Sequence, residues 1–133
     1  MCLIVWVIII VGAMTLPGQN FQGHPHWGNV AWIPFQNASI STKFFFDMVA
    51  NWLLYFPLGY LTIRSVPGRP RRGLMGVILC STLLAFAGEF YQVFCHNRHP
   101  SMTDVVNNVF GGTVGALLAA VAGERGNWFE LKI

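Results

Sequence analysis

Glu89 and Gln92, three residues apart, and Asp104 and Asn108, four apart, flank Arg98 within one stretch, EFYQVFCHNRHPSMTDVVNN, residues 89–108. It holds two of the chain's five acids, two of its four histidines, an arginine and four side-chain amides. Upstream, Asp47 and Asn51 repeat the pairing of an acid with an amide at a spacing of four. Residues three or four apart share one face of a helix, so each pair presents a carboxylate and an amide together. Carboxylates so placed can serve as general acid or base. Amides bond polar head-group atoms, and a guanidinium fork matches a carboxylate or a phosphate. The candidate binding set is therefore Asp47, Asn51, Glu89, Gln92, Arg98, Asp104 and Asn108, with Glu89 and Asp104 as the candidate catalytic acids or bases.

The elements that must position these groups are apolar. Of 133 residues, 54% are hydrophobic and only 10% charged, and residues 1–42 contain no Lys, Arg, Asp or Glu. A soluble domain of this length spreads charge over its surface, so the composition places the chain in a bilayer as one small membrane domain, residues 1–133. A helix needs roughly 20 residues to cross about 30 Å of hydrocarbon. Four apolar runs are expected to do so, at about 2–16, 44–63, 73–95 and 102–122. The first is short and stops at Pro17-Gly18. It lacks the basic n-region and the small-residue cleavage pattern of a signal peptide.

Positively charged short loops are retained in the cytoplasm. RSVPGRPRR, residues 64–72, carries four arginines and no acid, which makes it the cytoplasmic loop between the second and third spans. The expected fold is thus an all-α, four-span helix bundle with both termini cytoplasmic and the 17–42 loop outside. The net charge of +3 largely restates this loop, so it points to topology and to no nucleic-acid partner. With this topology, the rise per residue puts Asp47 about 5 Å and Asn51 about 10 Å below the outer surface. Glu89 and Gln92 lie at roughly 9 and 5 Å, Asp104 a few ångströms in, and Asn107 and Asn108 at about 8 to 9 Å. Three helices bring acids and amides to one depth, and ionisable groups within spans normally face a protein interior or a water-filled cavity. Arg98, in the short connection between two of those helices, is positioned to pair with Glu89 or Asp104. The competing expectation is that these residues only join the helices by hydrogen bonds.

Other features carry less chemistry. His24, His26, His96 and His99 fall in external segments, but neither HPH nor HNRH has a specific ligand spacing, so no metal or cofactor is expected. Cys2, Cys80 and Cys95 imply no disulfide framework. The uncharged 17–42 loop, with Phe21, Trp27, Trp32 and Phe35, suits a lid resting in the membrane interface. Pro57 should kink the second span. Gly111 and Gly115, beside Gly112, form a small-residue face for close helix packing.

Taken in order, NVAWIPF in the external loop, NWLLYFPLG at 51–59, EFYQ at 89–92, Arg98 and DVVNNVFGGTVG at 104–115 resemble the successive blocks of the VanZ-like membrane proteins. In that pattern the asparagine follows the aspartate by four, with glycines three and seven residues further on. Asn108, Gly111 and Gly115 match it, which leaves Asn107 as a neighbour. The family is named for a member that gives bacteria low-level resistance to the glycopeptide teicoplanin. The resemblance implies a bacterial cytoplasmic membrane and a role in the cell envelope, without supplying a reaction. Three readings follow. The first is a non-enzymatic module that binds an envelope lipid, a lipid-linked wall precursor or an amphipathic glycopeptide antibiotic in an outer-leaflet cavity. The second is an enzyme acting on a phosphate- or acyl-containing envelope lipid. The third is a structural or assembly role built on polar glue and the glycine face.

Overall fold

The computed structural model describes residues 2–16, 18–36, 41–66 and 70–130. Its regular elements are helices: α1, Cys2–Thr15; α2, Thr42–Ser65; α3, Pro70–Val93; and α4, Met102–Glu130. Two single 3₁₀ turns, Gly18–Asn20 and Trp27–Asn29, lie between α1 and α2. Three segments are long and apolar enough to cross a membrane, namely Thr42–Ser65, Arg72–Val93 and Met102–Gly123. The chain is an all-helical membrane protein. The expected end of α1 at Pro17 and the middle of the basic loop, with Arg69, lie outside the described residues; Arg64 and Arg72, which flank that loop, are exposed.

α1 has 14 residues, which at 1.5 Å each gives about 21 Å, short of the roughly 30 Å of hydrocarbon. Its packing matches that length. The core has two clusters, and α1 contributes to one of them. Ile10 of α1 joins Tyr55, Leu58, Ala85 and Val105, with Trp6 and Met14 packed beside them. The other cluster, Ile63, Val77, Ala116 and Ala119, draws on α2, α3 and α4 alone. Exposed Ile4, Ile8, Leu53, Leu79, Leu83, Leu117 and Leu118 clothe the outside of the bundle in apolar side chains, which suits contact with lipid tails.

α2 opens on Ser41, whose hydroxyl accepts from the Phe44 amide at 3.2 Å, the usual N-cap exchange. It continues through Pro57 without interruption. The proline lacks the N–H that would bond the Leu53 carbonyl. One residue along, the Leu54 carbonyl accepts from Trp6 Nε1 at 2.8 Å, so α1 supplies a polar contact at the level of the proline.

α2 and α4 both start at the end of the bundle that carries the long loop, and they run parallel in near backbone contact. A Cβ on Gly111 would lie 2.7 Å from the Trp52 Cα, and one on Gly115 would meet the carbonyl oxygen of Phe56. One on Gly59 of α2 would overlap the Gly112 carbonyl. Only glycine allows this approach, because every neighbour is backbone and cannot rotate away.

Backbone pairing ties the loop to the α3–α4 connection. His96 donates to the Asn20 carbonyl, Gln22 to Phe94 and His26 to Val93, each at 2.9 Å. Further along, Ala31 donates to Pro100 at 2.9 Å and Met102 to Ala31 at 3.0 Å. Two irregular segments therefore satisfy one another's backbone groups, which an unpaired loop at a membrane surface leaves to water.

Candidate functional site

The start of α4 sets the polar geometry. Ser101 precedes the helix, and its hydroxyl accepts from the Thr103 amide at 3.1 Å. With Asp104 three residues later, the sequence has the form of a capping box, in which the acid would reach back to the Ser101 N–H. That N–H is already taken: it donates to Glu89 Oε2 of α3 at 2.7 Å. Glu89 is 5% exposed and so acts as a cap supplied by a different helix. Asp104 is thereby released from the capping role. Its Oδ1 accepts from Asn51 Nδ2 of α2 at 3.0 Å, and the carboxylate still gains from the positive end of the α4 dipole.

Asp104 opens onto a cleft of about 570 Å³. One wall is the loop, with Trp32 and Ile33; the other is the first two turns of α2, with Lys43, Phe44, Asp47 and Met48. The floor is the start of α4, where Ser101, Thr103, Asp104 and Asn107 are exposed to it, with His99 at the edge. Asn107 is 5% exposed overall and presents its carboxamide to the cleft with no hydrogen-bond partner among the described residues. The volume lies within the range of small-molecule sites, and the mixture of apolar wall and a few converging polar groups is typical of them.

The loop wall is held under strain. Phe35 has φ of 61°, a left-handed conformation that is costly for an aromatic residue. Its amide donates to Thr103 Oγ1 at 2.9 Å, so α4 fixes the loop next to the cleft residues Ile33 and Gln36.

The sequence-derived set divides in space. Asp47 and Asp104 line the cleft, and Asn51 stands behind Asp104. Glu89 lies below the Ser101 turn, committed to capping. Asn108 faces inward, 4% exposed, with Oδ1 lacking a hydrogen-bond partner among the described residues. Gln92 and Arg98 do not line the cleft. The Arg98 guanidinium donates from Nη2 to the Leu16 carbonyl at 3.3 Å and so closes the end of α1. Asn107, Lys43, Thr103 and His99 are cleft residues outside the sequence-derived set. Spacing held the signal for two of them: Asn107 is three residues past Asp104, and Lys43 is four before Asp47, each on its partner's helical face.

From Trp32 in the cleft wall, exposed and half-buried aromatic rings continue as a band. Phe21 stacks on Tyr91 at 5.6 Å, Phe90 contacts Phe94 at 5.4 Å, and Trp27 reaches both Phe90 at 6.0 Å and Trp32 at 6.2 Å. Such a band marks a membrane–water interface. His24 and His26 lie 4.6 Å apart between ring centres, with His96 6.0 Å from His26. No group of three His, Cys, Asp or Glu side chains among the described residues is arranged to hold a metal ion.

A family model described as VanZ/LLP1 matches residues 1–123, and the chain belongs to that family. No curated protein and no solved structure matches it.

Proposed function

We propose that this VanZ/LLP1 membrane protein binds the polar head of an amphipathic envelope molecule in the cleft between the loop, α2 and α4. An envelope lipid, a lipid-linked wall precursor and a lipoglycopeptide antibiotic all have the required form. Binding changes the molecule's accessibility and so affects glycopeptide susceptibility. The chain sits in a bacterial cytoplasmic membrane with the cleft on the outer face and both termini inside. The four arginines of the 64–72 stretch support that orientation, because Arg64 lies in the last turn of α2 and Arg72 in the first turn of α3, at the opposite end of those helices from the cleft.

The observation that carries this reading is the cleft itself. It has volume, two carboxylates and the carboxamide of a residue only 5% exposed, Asn107, and it adjoins the aromatic band that marks the head-group level. A polar head enters among Asp47, Asp104 and Asn107, while an acyl or prenyl tail leaves toward the exposed apolar faces of the bundle. The direct test is teicoplanin susceptibility in a sensitive Gram-positive host expressing the wild type, Asp104→Asn or Asn107→Leu, with membrane levels checked by immunoblot. The wild type is expected to protect and the equally abundant variants to lose protection. Undiminished protection by both variants would remove the cleft from the function.

A further inference from the structure

The charges around the cleft indicate which kind of head group it takes. Its two carboxylates come from different helices. Asp104 is fixed by Asn51 at 3.0 Å, whereas Asp47 is exposed on the second turn of α2. Two anions facing one cavity favour a cation between them, since like charges at short range repel and a cation relieves both. Aromatic faces accompany them: Trp32 and Phe44 line the same space, and rings beside carboxylates are the usual surroundings of a bound ammonium. Asn107, 5% exposed, lines the same space, and its carboxamide, with no hydrogen-bond partner among the described residues, has an oxygen able to accept an N–H. Against this stands one lysine. Lys43 lies one turn before Asp47, on the loop side of it, where an ammonium suits an anion held further out. Arg98, the cation the sequence offers for a phosphate, is bonded to the Leu16 carbonyl.

We infer that the cleft selects a zwitterionic amphiphile whose primary ammonium sits between Asp47 and Asp104, bonded to Asn107, and whose phosphate or carboxylate meets Lys43. This deepens the functional reading above and rests on it. A primary ammonium has three N–H donors for the two carboxylates and the amide oxygen, whereas a trimethylammonium keeps its charge and its contact with the rings but has no N–H to donate. Aminated head groups of bilayer lipids and free amines on lipoglycopeptides share this chemistry, and the bilayer lipid is the source proposed here.

Native mass spectrometry of the full chain in detergent tests it, with short-chain phosphatidylethanolamine, phosphatidylcholine and phosphatidylglycerol competing at equal concentration and teicoplanin in a separate arm. The wild type is expected to prefer phosphatidylethanolamine over phosphatidylcholine by about tenfold, the scale of one charge-assisted hydrogen bond. Asp104→Asn and Asp47→Asn should each bring that ratio close to one. Asp47 is exposed, so its variant keeps the test decisive if Asp104→Asn fails to fold. Lys43→Gln should weaken both zwitterionic lipids together and leave their ratio unchanged. Equal binding of all three lipids, insensitive to Asp47→Asn but lost in Asn107→Leu, would overturn the ammonium inference and leave the cleft as a binding site. A response to teicoplanin but to no phosphatidylethanolamine would overturn the lipid source. Binding of no amphiphile at all would bring down the functional reading itself.

Discussion

Replacing Glu89 separates its two conceivable roles. If its role is to cap Ser101, the side chain must present an acceptor at that N–H; if it moves protons, it must be a titratable acid. Glu89→Gln keeps the acceptor and removes the acid. In Glu89→Ala, the Ser101 amide loses a bond of 2.7 Å inside a site where the residue is 5% exposed. Leaving a buried donor unsatisfied costs about 1–3 kcal/mol, and the one missing methylene adds about 0.8 kcal/mol. Glu89→Ala should therefore lose about 3 kcal/mol in mixed-micelle unfolding, from the sum of those two effects. Glu89→Gln exchanges a charge-assisted bond for a neutral one and no longer has to bury an ionised carboxyl, so it should stay within about 1 kcal/mol of wild type. Amide exchange at Ser101 gives the local readout: it should accelerate roughly 30-fold in the alanine variant for about 2 kcal/mol of local opening, and only a few-fold in the glutamine variant. In the susceptibility assay, Glu89→Gln should protect nearly as well as wild type. A folded, abundant Glu89→Gln protein without protection would refute the capping assignment and restore Glu89 as a chemical group of the site.

Two further outcomes test the framework around the cleft. Gly115→Ala places a Cβ against the Phe56 carbonyl, with the carbonyl carbon at 2.9 Å; α2 and α4 must part along the crossing, and unfolding in mixed micelles should show a loss at or above the roughly 1–3 kcal/mol typical of overpacking. A variant as stable as wild type would contradict the close approach. Thr103→Val removes the acceptor that holds the left-handed Phe35 amide, so hydrogen exchange across 31–36 should quicken while the global unfolding transition moves little; unchanged exchange would show that the strap is held by something other than Thr103.

Composition and hydropathy made the helices legible, because residues 1–42 carry no charge and each later helix is an apolar run of spanning length. Several boundaries moved by two or more residues: α2 begins at Thr42, behind the Ser41 cap. α3 begins at Pro70 and ends at Val93, which leaves Cys95 in the following turn, and α4 continues to Glu130. The depth argument put Asp47, Asn51 and Asp104 toward one end of the bundle, and in the structure Asn51 bonds Asp104 while Asp47 lines the same cleft. It had no means of sorting side chains that share a level into those facing a cleft and those facing the core. Asn107 and Asn108 are neighbours in sequence and both buried, yet Asn107 faces the cleft while Asn108 faces the bundle. Arg98 was beyond reach for another reason: its partner is a backbone carbonyl at the end of α1, and side-chain types do not reveal a carbonyl left free by a helix end.

The concentration of polar groups in one stretch of an oily chain follows from the way α4 begins. A helix that starts at a buried turn must satisfy its first amides from within the protein. Ser101 serves one of them, and Glu89 serves the Ser101 amide from the preceding helix. Because a short connection joins α3 to α4, the cap and the capped turn must lie close together in sequence. This arrangement leaves Asp104 with a hydrogen bond from Asn51 and a face open to the cleft. The cap and the cleft are thus divided between two acids 15 residues apart. An exchange in which Glu89→Gln is tolerated and Asp104→Asn is not would be the signature of that division. The reverse pattern would mean that the cap, and not the cleft, is what the polar cluster exists to hold.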